Sequence, residues 1–472
     1  MKRQDPINET NTSCTENIKR LRSTLRELFP QKIFAHIKQR DTATWKIYLL
    51  AACAFLWMAC NEKNIVDAFV YVRKILPNIF TTITKIGISY QGFMDQLGRY
   101  NKQMMDVIIP HFQYFTKSKL KNYWLTAGFL LLGVDGSRVQ LARTKSLIKA
   151  FSPKKKKNET KKKYKKRVQR LKKKRTEKDR QNKRESPQLW LTLLWHVGTG
   201  LPYNWRIGAS DSSEREHAQS MFADLPKEAL IVADAGFVGY DFWTSMIETK
   251  INFVVRVGGN VTLLRNLEWS KKEREDTVYL WPKGKRDKEP LVLRLIRIHD
   301  GKQPLCLVTN LGAKKLSDKA ALEIYRRRWG IEVFFRTLKQ TFDRRKLRCR
   351  CASNAPLELE WSLVALWGMC LIGEECVEKS GVDICHLSPA KVLKAFAEVI
   401  RDFRVDLESR EEGLLERLRV ALLDEYVRRK LKTNREYPRK AQKEKIHQPK
   451  IEIASKTTKK QALDLKIRAT VT

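Results

Sequence analysis

Asp135, Asp234 and Glu332 are set apart by their neighbours in a 472-residue chain that carries 94 Lys and Arg against 52 Asp and Glu. Asp135 follows an apolar run in LLLGVDGS, and Asp234 follows another in LIVADAGF; each precedes a glycine within two residues. An acid at the end of a buried strand opens onto the crevice where α/β proteins hold ligands. Such an Asp also serves simply to cap a turn. Glu332 lies in YRRRWGIEVFFRTLKQTF, Tyr325 to Phe342. At about 100° per residue, Tyr325, Arg328, Glu332 and Lys339 share an arc of roughly 60°. Ile324, Ile331, Phe334, Phe335, Leu338 and Phe342 form an apolar stripe beside it. A carboxylate among cations at the edge of such a stripe suits either a ladder of ion pairs or a metal-bound phosphodiester.

Phosphodiesters are cut by in-line attack of water or a 3′-hydroxyl. Two divalent ions about 3.5–4 Å apart activate the nucleophile and stabilise the leaving oxygen. Magnesium takes hard oxygen ligands, one or two carboxylates with waters and substrate phosphate. Asp135, Asp234 and Glu332 are therefore the expected catalytic acids and the expected ligands of two Mg²⁺ or Mn²⁺ ions. The neighbouring cations would hold the phosphate backbone.

These carboxylates meet only if two strand ends and a helix converge. Residues up to about 120 read as helical: TENIKRLRSTLRELF and ISYQGFMDQLGRYNKQMMDVI both have helical spacing. From about Tyr123 strands take over. FLLLGVDGSRVQLA predicts a strand, a turn at Asp135-Gly136 and a second short strand; LWLTLLWHV, Leu189 to Val197, predicts a third. SSEREHAQSMFADL predicts a polar helix, ALIVA a fourth strand ending at Asp234, YDFWTSMIETK a helix and INFVVRV a fifth strand. A long helix with Ser317 as N-cap then carries Glu332. Three close strands, followed by strands separated by helices as parallel crossovers require, have the layout of a ribonuclease-H-like α/β core. The expected organisation is a helical region over 1–120, taken to bind DNA ends, and the core over 121–350. The core would hold a Lys-rich insertion at 143–187 and a small β-rich insertion at 258–315. A helical region over 351–427 and a basic tail over 428–472 complete it.

A net charge of +42 implies a polyanionic partner, with nucleic acid ahead of a membrane surface. Between Phe151 and Pro187 stand 19 Lys and Arg against 4 Asp and Glu, a net of +15. That stretch has too few apolar residues to fold on its own core and suits phosphate contact. The nine cysteines include no C-x-x-C pair, which argues against a zinc finger. Their odd number and the lack of a signal peptide fit a reducing cytoplasm. The longest apolar run, Ile47 to Ala59, is too short to span a bilayer, so no membrane partner is expected.

The spacing Y-x2-R-x3-E-x6-K, met by Tyr325, Arg328, Glu332 and Lys339, resembles the signature of the insertion-sequence-4 family of bacterial DDE transposases. VDGS around Asp135, DAGFVGY from Asp234 to Tyr240 and the FVVRV that follows resemble that family's acidic motifs and their surroundings. The resemblance covers about 123–350. It implies an enzyme that binds terminal inverted repeats, excises the element and joins it to target DNA, working as a homodimer in the DNA complex. It also implies that Tyr325 and Arg328 grip phosphates near the cleaved end and that Lys339 contacts DNA. Only 98 positions separate Asp234 from Glu332, so the β-rich insertion would be small. The Lys-rich insertion departs from the family's pattern.

Arg256, on the fifth strand, would touch DNA or pair with an acid. Trp281, before PKGKRDK, is a candidate for stacking on an unpaired base, although a tryptophan of this kind is more often core. His196, in WHVGTG, reads as a packed histidine. Two alternatives remain: a non-catalytic nucleic-acid-binding protein descended from a transposase, and another ribonuclease-H-like nuclease such as a resolvase. The first has no need of three acids, and the second no need of the Tyr, Arg and Lys beside Glu332.

Overall fold

The computed structural model describes residues 14–40, 43–80, 86–153, 187–270, 273–299, 304–402 and 450–471, together with Lys165 and Gln169. The Lys-rich stretch and the first part of the basic tail thus lie outside the described residues. Among the described residues four long helices precede the first strand, α1 (Cys14–Leu28), α2 (Ile47–Ala59), α3 (Ile65–Ile79) and α4 (Tyr90–Lys119), with single turns at Gln31–Phe34 and Lys121–Trp124. Every residue of α2 except Tyr48 is buried, as an all-round apolar helix requires. The strands are β1 (Leu130–Gln140), β2 (Gln188–His196), β3 (Pro202–Ala209), β4 (Ala229–Ala233), β5 (Asn252–Arg256), β6 (Thr262–Arg265), β7 (Thr277–Leu280), β8 (Leu291–His299), β9 (Pro304–Thr309) and β10 (Lys450–Ile453). Between and after them run α5 (Lys145–Phe151), α6 (Glu214–Gln219), α7 (Tyr240–Glu248), α8 (Asp318–Arg327), α9 (Gly330–Arg336), α10 (Asn354–Lys379), α11 (Pro389–Asp402) and α12 (Lys456–Val471).

The ten strands among the described residues form one sheet in the order β10-β6-β7-β8-β9-β5-β4-β1-β2-β3. β3, β2 and β1 are antiparallel, whereas β1, β4 and β5 are parallel, with Leu132 opposite Ile231 and Ala233 opposite Val255. This is the mixed α/β arrangement expected of a ribonuclease-H-like core. Side chains alternate across the strands. Leu131, Leu193 and Val232 pack towards a helical layer, and Leu130, Leu132 and Ile231 pack towards α6 and α7. The N-terminal and C-terminal helices form one layer. Phe29 of the segment after α1 meets Phe55 of α2, Phe112 of α4 and Trp361 of α10, and Phe55 meets Phe396 of α11. Helix α10 is apolar and long enough to cross a membrane, yet nearly all of it is buried against these partners.

Several sequence expectations need correction. No turn interrupts β1, which runs straight through Asp135 and Gly136 paired with Leu193 and Thr192 of β2. The third strand of the meander is β3, in PYNWRIGA, so the Lys-rich stretch falls between the first and second strands. The polar helix is only α6, six residues long. The segment 258–315 is β-rich, as expected, and its strands extend the central sheet: β9 pairs with β5 and carries the sheet onward through β8, β7 and β6. The end of the basic tail is folded onto that edge, where β10 pairs in parallel with β6, and Ala454 and Ala462 are buried.

Candidate active site

Pairing between β1 and β4 stops at Gly133 and Val232, and β4 ends at Ala233. From Val134 onward β1 therefore has no β4 residue paired beside it. Asp135 stands on that stretch, and Asp234 is the first residue beyond β4. Each carboxylate also shapes its own backbone: Asp135 Oδ1 accepts from Gly136 N and Asp234 Oδ1 from Gly236 N, both at 2.8 Å. The capping and site readings of these acids are thus compatible. Neither makes an ion pair among the described residues. Burial pushes Asp135 up to about 6; Asp234 and Glu332 add to the rise, and the Gly136 amide and Arg328 oppose it.

Glu332 does not sit on one long helix. Ser317 caps α8 by accepting from Ala320 N, as expected. Arg294 of β8, itself buried, pairs with Asp318 at the helix start and with Asp276 at 3.1 Å, fixing α8 to the sheet. The helix then tightens, with Arg328 N donating to Tyr325 O and Glu332 N to Trp329 O, three residues back in each case. Gly330 allows this break to lie against β2, since a Cβ there would overlap the Trp195 ring, standing only 2.8 Å from its Cζ2. Helix α9 follows, then a π-turn over Thr337–Thr341, a distortion often found at functional sites. Ile331, Phe334, Phe335, Leu338 and Phe342 are buried as the stripe predicted. Each contributes about 1.5–3 kcal/mol to docking the segment. Beyond it, Arg344 donates to Phe342 O and Ser362 Oγ, and Glu358 of α10 accepts from the backbone of Arg348 and Cys349.

The predicted polar arc survives the break. Arg328 is only 9% exposed, pairs with Glu332 at 3.5 Å and lies 5.6 Å from the Tyr325 ring. Burial works against its charge, but Tyr325, Asp234, Asp135 and Glu332 outweigh it and raise its pKa. Its Nε is buried with no hydrogen-bond partner. Lys339 donates to Ser137 Oγ at 2.6 Å; Ser137 lies two residues from Asp135, on the same face of β1. Burial, and then Arg345, lower the Lys339 pKa, against the pull of Asp135.

Two other candidates part ways. Arg256 ends β5, one strand over from Asp234 and half-buried. Trp281 is 2% exposed; its indole N–H donates to Lys285 O and Lys288 O, and the Arg286 guanidinium covers its ring at 4.3 Å. It has no free face for a base and belongs to the core. His196 is packed, as expected: its ring nitrogens bond Thr199 Oγ1 and Trp124 O, and burial pushes it down to about 4.

Sequence reasoning predicted the polar helix α6 but missed that it reaches the site. Its Glu214 carboxylate lies against Gly136, where a Cβ would stand 2.7 Å from Glu214 Cγ and Cδ. Burial pushes Glu214 up to about 7, helped by Asp135 and Asp234 and opposed by Arg138 and Arg215. Arg215 Nε donates to Gly236 O at 2.9 Å, in the turn that Asp234 caps. The only signal was Gly136 itself, since a strand glycine marks a close approach. Among the described residues no three such side chains are close enough to hold a metal ion as they stand. The donors are nonetheless all hard oxygens, and Mg²⁺ needs only one or two carboxylates beside water and substrate oxygens.

The family model of the transposase DDE domain matches residues 128–367. No curated protein matches the chain. Among solved structures, a cryo-EM synaptic complex of piggyBac transposase with hairpin DNA is similar at 13% identity, over 86% of each chain, with a TM-score of 0.39.

Proposed function

Because the chain belongs to the transposase DDE domain family, we propose that it is a DNA transposase that excises an insertion sequence and joins it to target DNA. Within that family we assign it to the insertion-sequence-4 group, on the Tyr325, Arg328, Glu332 and Lys339 spacing. Asp135, Asp234 and Glu332 are the catalytic acids and the ligands of Mg²⁺ or Mn²⁺. When bound, the ions supply charge neutralisation at the scissile phosphate and a nucleophile that is ionised at neutral pH.

The chain's own residues bind and orient. Arg328, buried between Tyr325 and Glu332 with a spare Nε, grips phosphate oxygens at the element's end. Lys339, next to Ser137, and Arg256, at the end of β5, hold the flanking backbone. Tyr325 lines the same arc. Residues 1–120 contribute recognition of the terminal repeats, and two copies act together on paired ends in the bacterial cytoplasm. One observation carries this reading: Asp135 and Asp234 face a common crevice without ion pairs in a chain of net charge +42, with Arg328 and Glu332 beside them. The test is strand cleavage of DNA carrying the element's ends, with Mg²⁺ and with chelator. Asp234→Ala should abolish cleavage and leave DNA binding largely intact; cleavage at the wild-type rate would reject the assignment.

A further inference from the structure

The crevice has two walls, and Glu332 stands on only one. Asp135 and Ser137 face the layer that holds Glu332 and Lys339, whereas Gly136 faces the opposite side of the sheet, where α6 lies. We propose that Glu214 is a fourth carboxylate of the reaction centre, closing the crevice from that second wall and holding a divalent cation together with Asp135 and Asp234. The proposal rests on the transposase reading above and adds a residue to its site.

Three attachments aim α6 at this place. Ser213 caps it by accepting from Glu216 N. His217 Nδ1 bonds Thr192 Oγ1 of β2 at 3.1 Å, and Thr192 is the cross-strand partner of Gly136. Arg215 reaches the turn after Asp234. The helix thus bridges the two aspartate motifs, and the missing Cβ of Gly136 leaves room for the Glu214 carboxylate between them. That carboxylate makes no ion pair or hydrogen bond among the described residues. Two arginines are near enough to have paired with it, but Arg215 turns to Gly236 O and Arg138 lies over the Trp190 ring at 4.5 Å. Like charges left together without counterions raise the energy of a site, and a bound cation removes that cost. A second observation points to a ligand in the same crevice. Arg328, nine-tenths buried, paired with Glu332 through its terminal nitrogen and under the charge of Asp234 and Asp135, keeps a buried Nε without a hydrogen-bond partner, a donor that an anionic oxygen would satisfy.

The experiment is Mn²⁺ binding to the full chain without DNA, followed by the electron paramagnetic resonance of the free ion, for wild type, Glu214→Gln and Asp234→Asn. Glutamine keeps the shape of Glu214, so melting in chelator should be unchanged or raised. Mn²⁺ affinity should fall about tenfold or more, the usual loss when a residue supporting a metal site is removed, and Glu214→Asp should recover part of it. Wild-type stoichiometry and affinity in Glu214→Gln, with binding lost in Asp234→Asn, would overturn the role of Glu214 and leave the triad standing. Wild-type binding in both variants would reject the triad reading as well.

Discussion

Asp135→Asn separates a carboxylate kept for a ligand from one kept for stability. Its pKa in the folded chain is about 6 against an ordinary 3.8. The folded state therefore binds the proton more tightly than the unfolded one. The contribution of Asp135 to stability is therefore fullest below pH 4, falls as pH rises from about 4 to 6, and stays lower above that. Two units correspond to at most about 3 kcal/mol; partial exposure and coupling to Asp234 and Glu332 reduce this to roughly 1 kcal/mol. Asparagine carries no charge, and its Oδ1 still accepts from Gly136 N. In chelator, Asp135→Asn should melt above wild type at pH 8, by about 2 °C or less for a chain of this size, and level with it near pH 4. Added Mg²⁺ should raise the wild type and leave the variant unmoved, because only a state that binds the ion gains from it. Thermal melts at the two pH values, with and without Mg²⁺, provide the test. A variant destabilised at pH 8 in chelator would show Asp135 to be a structural cap, and the argument would fail.

Arg328→Lys keeps the charge but loses the planar fork. Single-turnover cleavage at saturating DNA should slow by about one to two decades, from a charge-assisted contact worth roughly 1.5–3 kcal/mol, with a native melting temperature; a lowered melting temperature with normal cleavage would support the plain ion pair instead. Gly330→Ala should drive a methyl into the Trp195 ring and push the Glu332 segment off β2, lowering both melting temperature and cleavage; unchanged values for both would contradict the close packing. Deleting Lys154 to Arg184 removes 19 Lys and Arg with 3 Asp and Glu, a net of +16, and should flatten the plot of log binding constant against log salt, whose slope is about −0.9 per phosphate neutralised. An unchanged slope would mean that this stretch does not contact DNA.

The central strands were readable because burial on both faces leaves near-continuous apolar runs, as in ALIVA and FLLLGV. The errors fall where that condition lapses. Beyond Gly133, β1 loses β4 as a neighbour and, apart from a bridge from Gln140 to Lys346, is paired with β2 alone, so polar residues and a glycine enter a strand that does not end. Asp-Gly after an apolar run is then mistaken for a hairpin turn. β3 is the sheet's edge, which tolerates Pro202 at its start and a polar outer face, and its pattern is correspondingly weak. The opening arc of Tyr325, Arg328 and Glu332 was predicted on a continuous helix that the structure breaks. It holds because Arg328 and Trp329 both keep right-handed helical dihedrals through the break, so little angular phase is lost. The break itself depends on Trp195, more than a hundred residues away, and no local pattern carries it.

Glu214 was illegible for a different reason. SSEREH reads as the capped start of a polar surface helix, and its carboxylates look alike. What distinguishes Glu214 is where the chain's cations go. Lys285 takes Asp241, Arg294 takes Asp276 and Asp318, Arg348 takes Asp343 and Lys119 takes Glu375. Asp135, Asp234 and Glu214 stay without ion pairs among the described residues, although Arg138, Arg215 and Arg328 are close enough to act on them. With 42 more basic than acidic residues, a shortage of cations does not explain this. The arrangement itself withholds them. Arg215 is held by a backbone carbonyl, Arg138 by an indole ring, and Arg328 between a phenol and Glu332. The cations nearest these carboxylates are thus engaged by other groups. A divalent ion bound there, as proposed above, would meet carboxylates that no side-chain cation has neutralised by direct pairing.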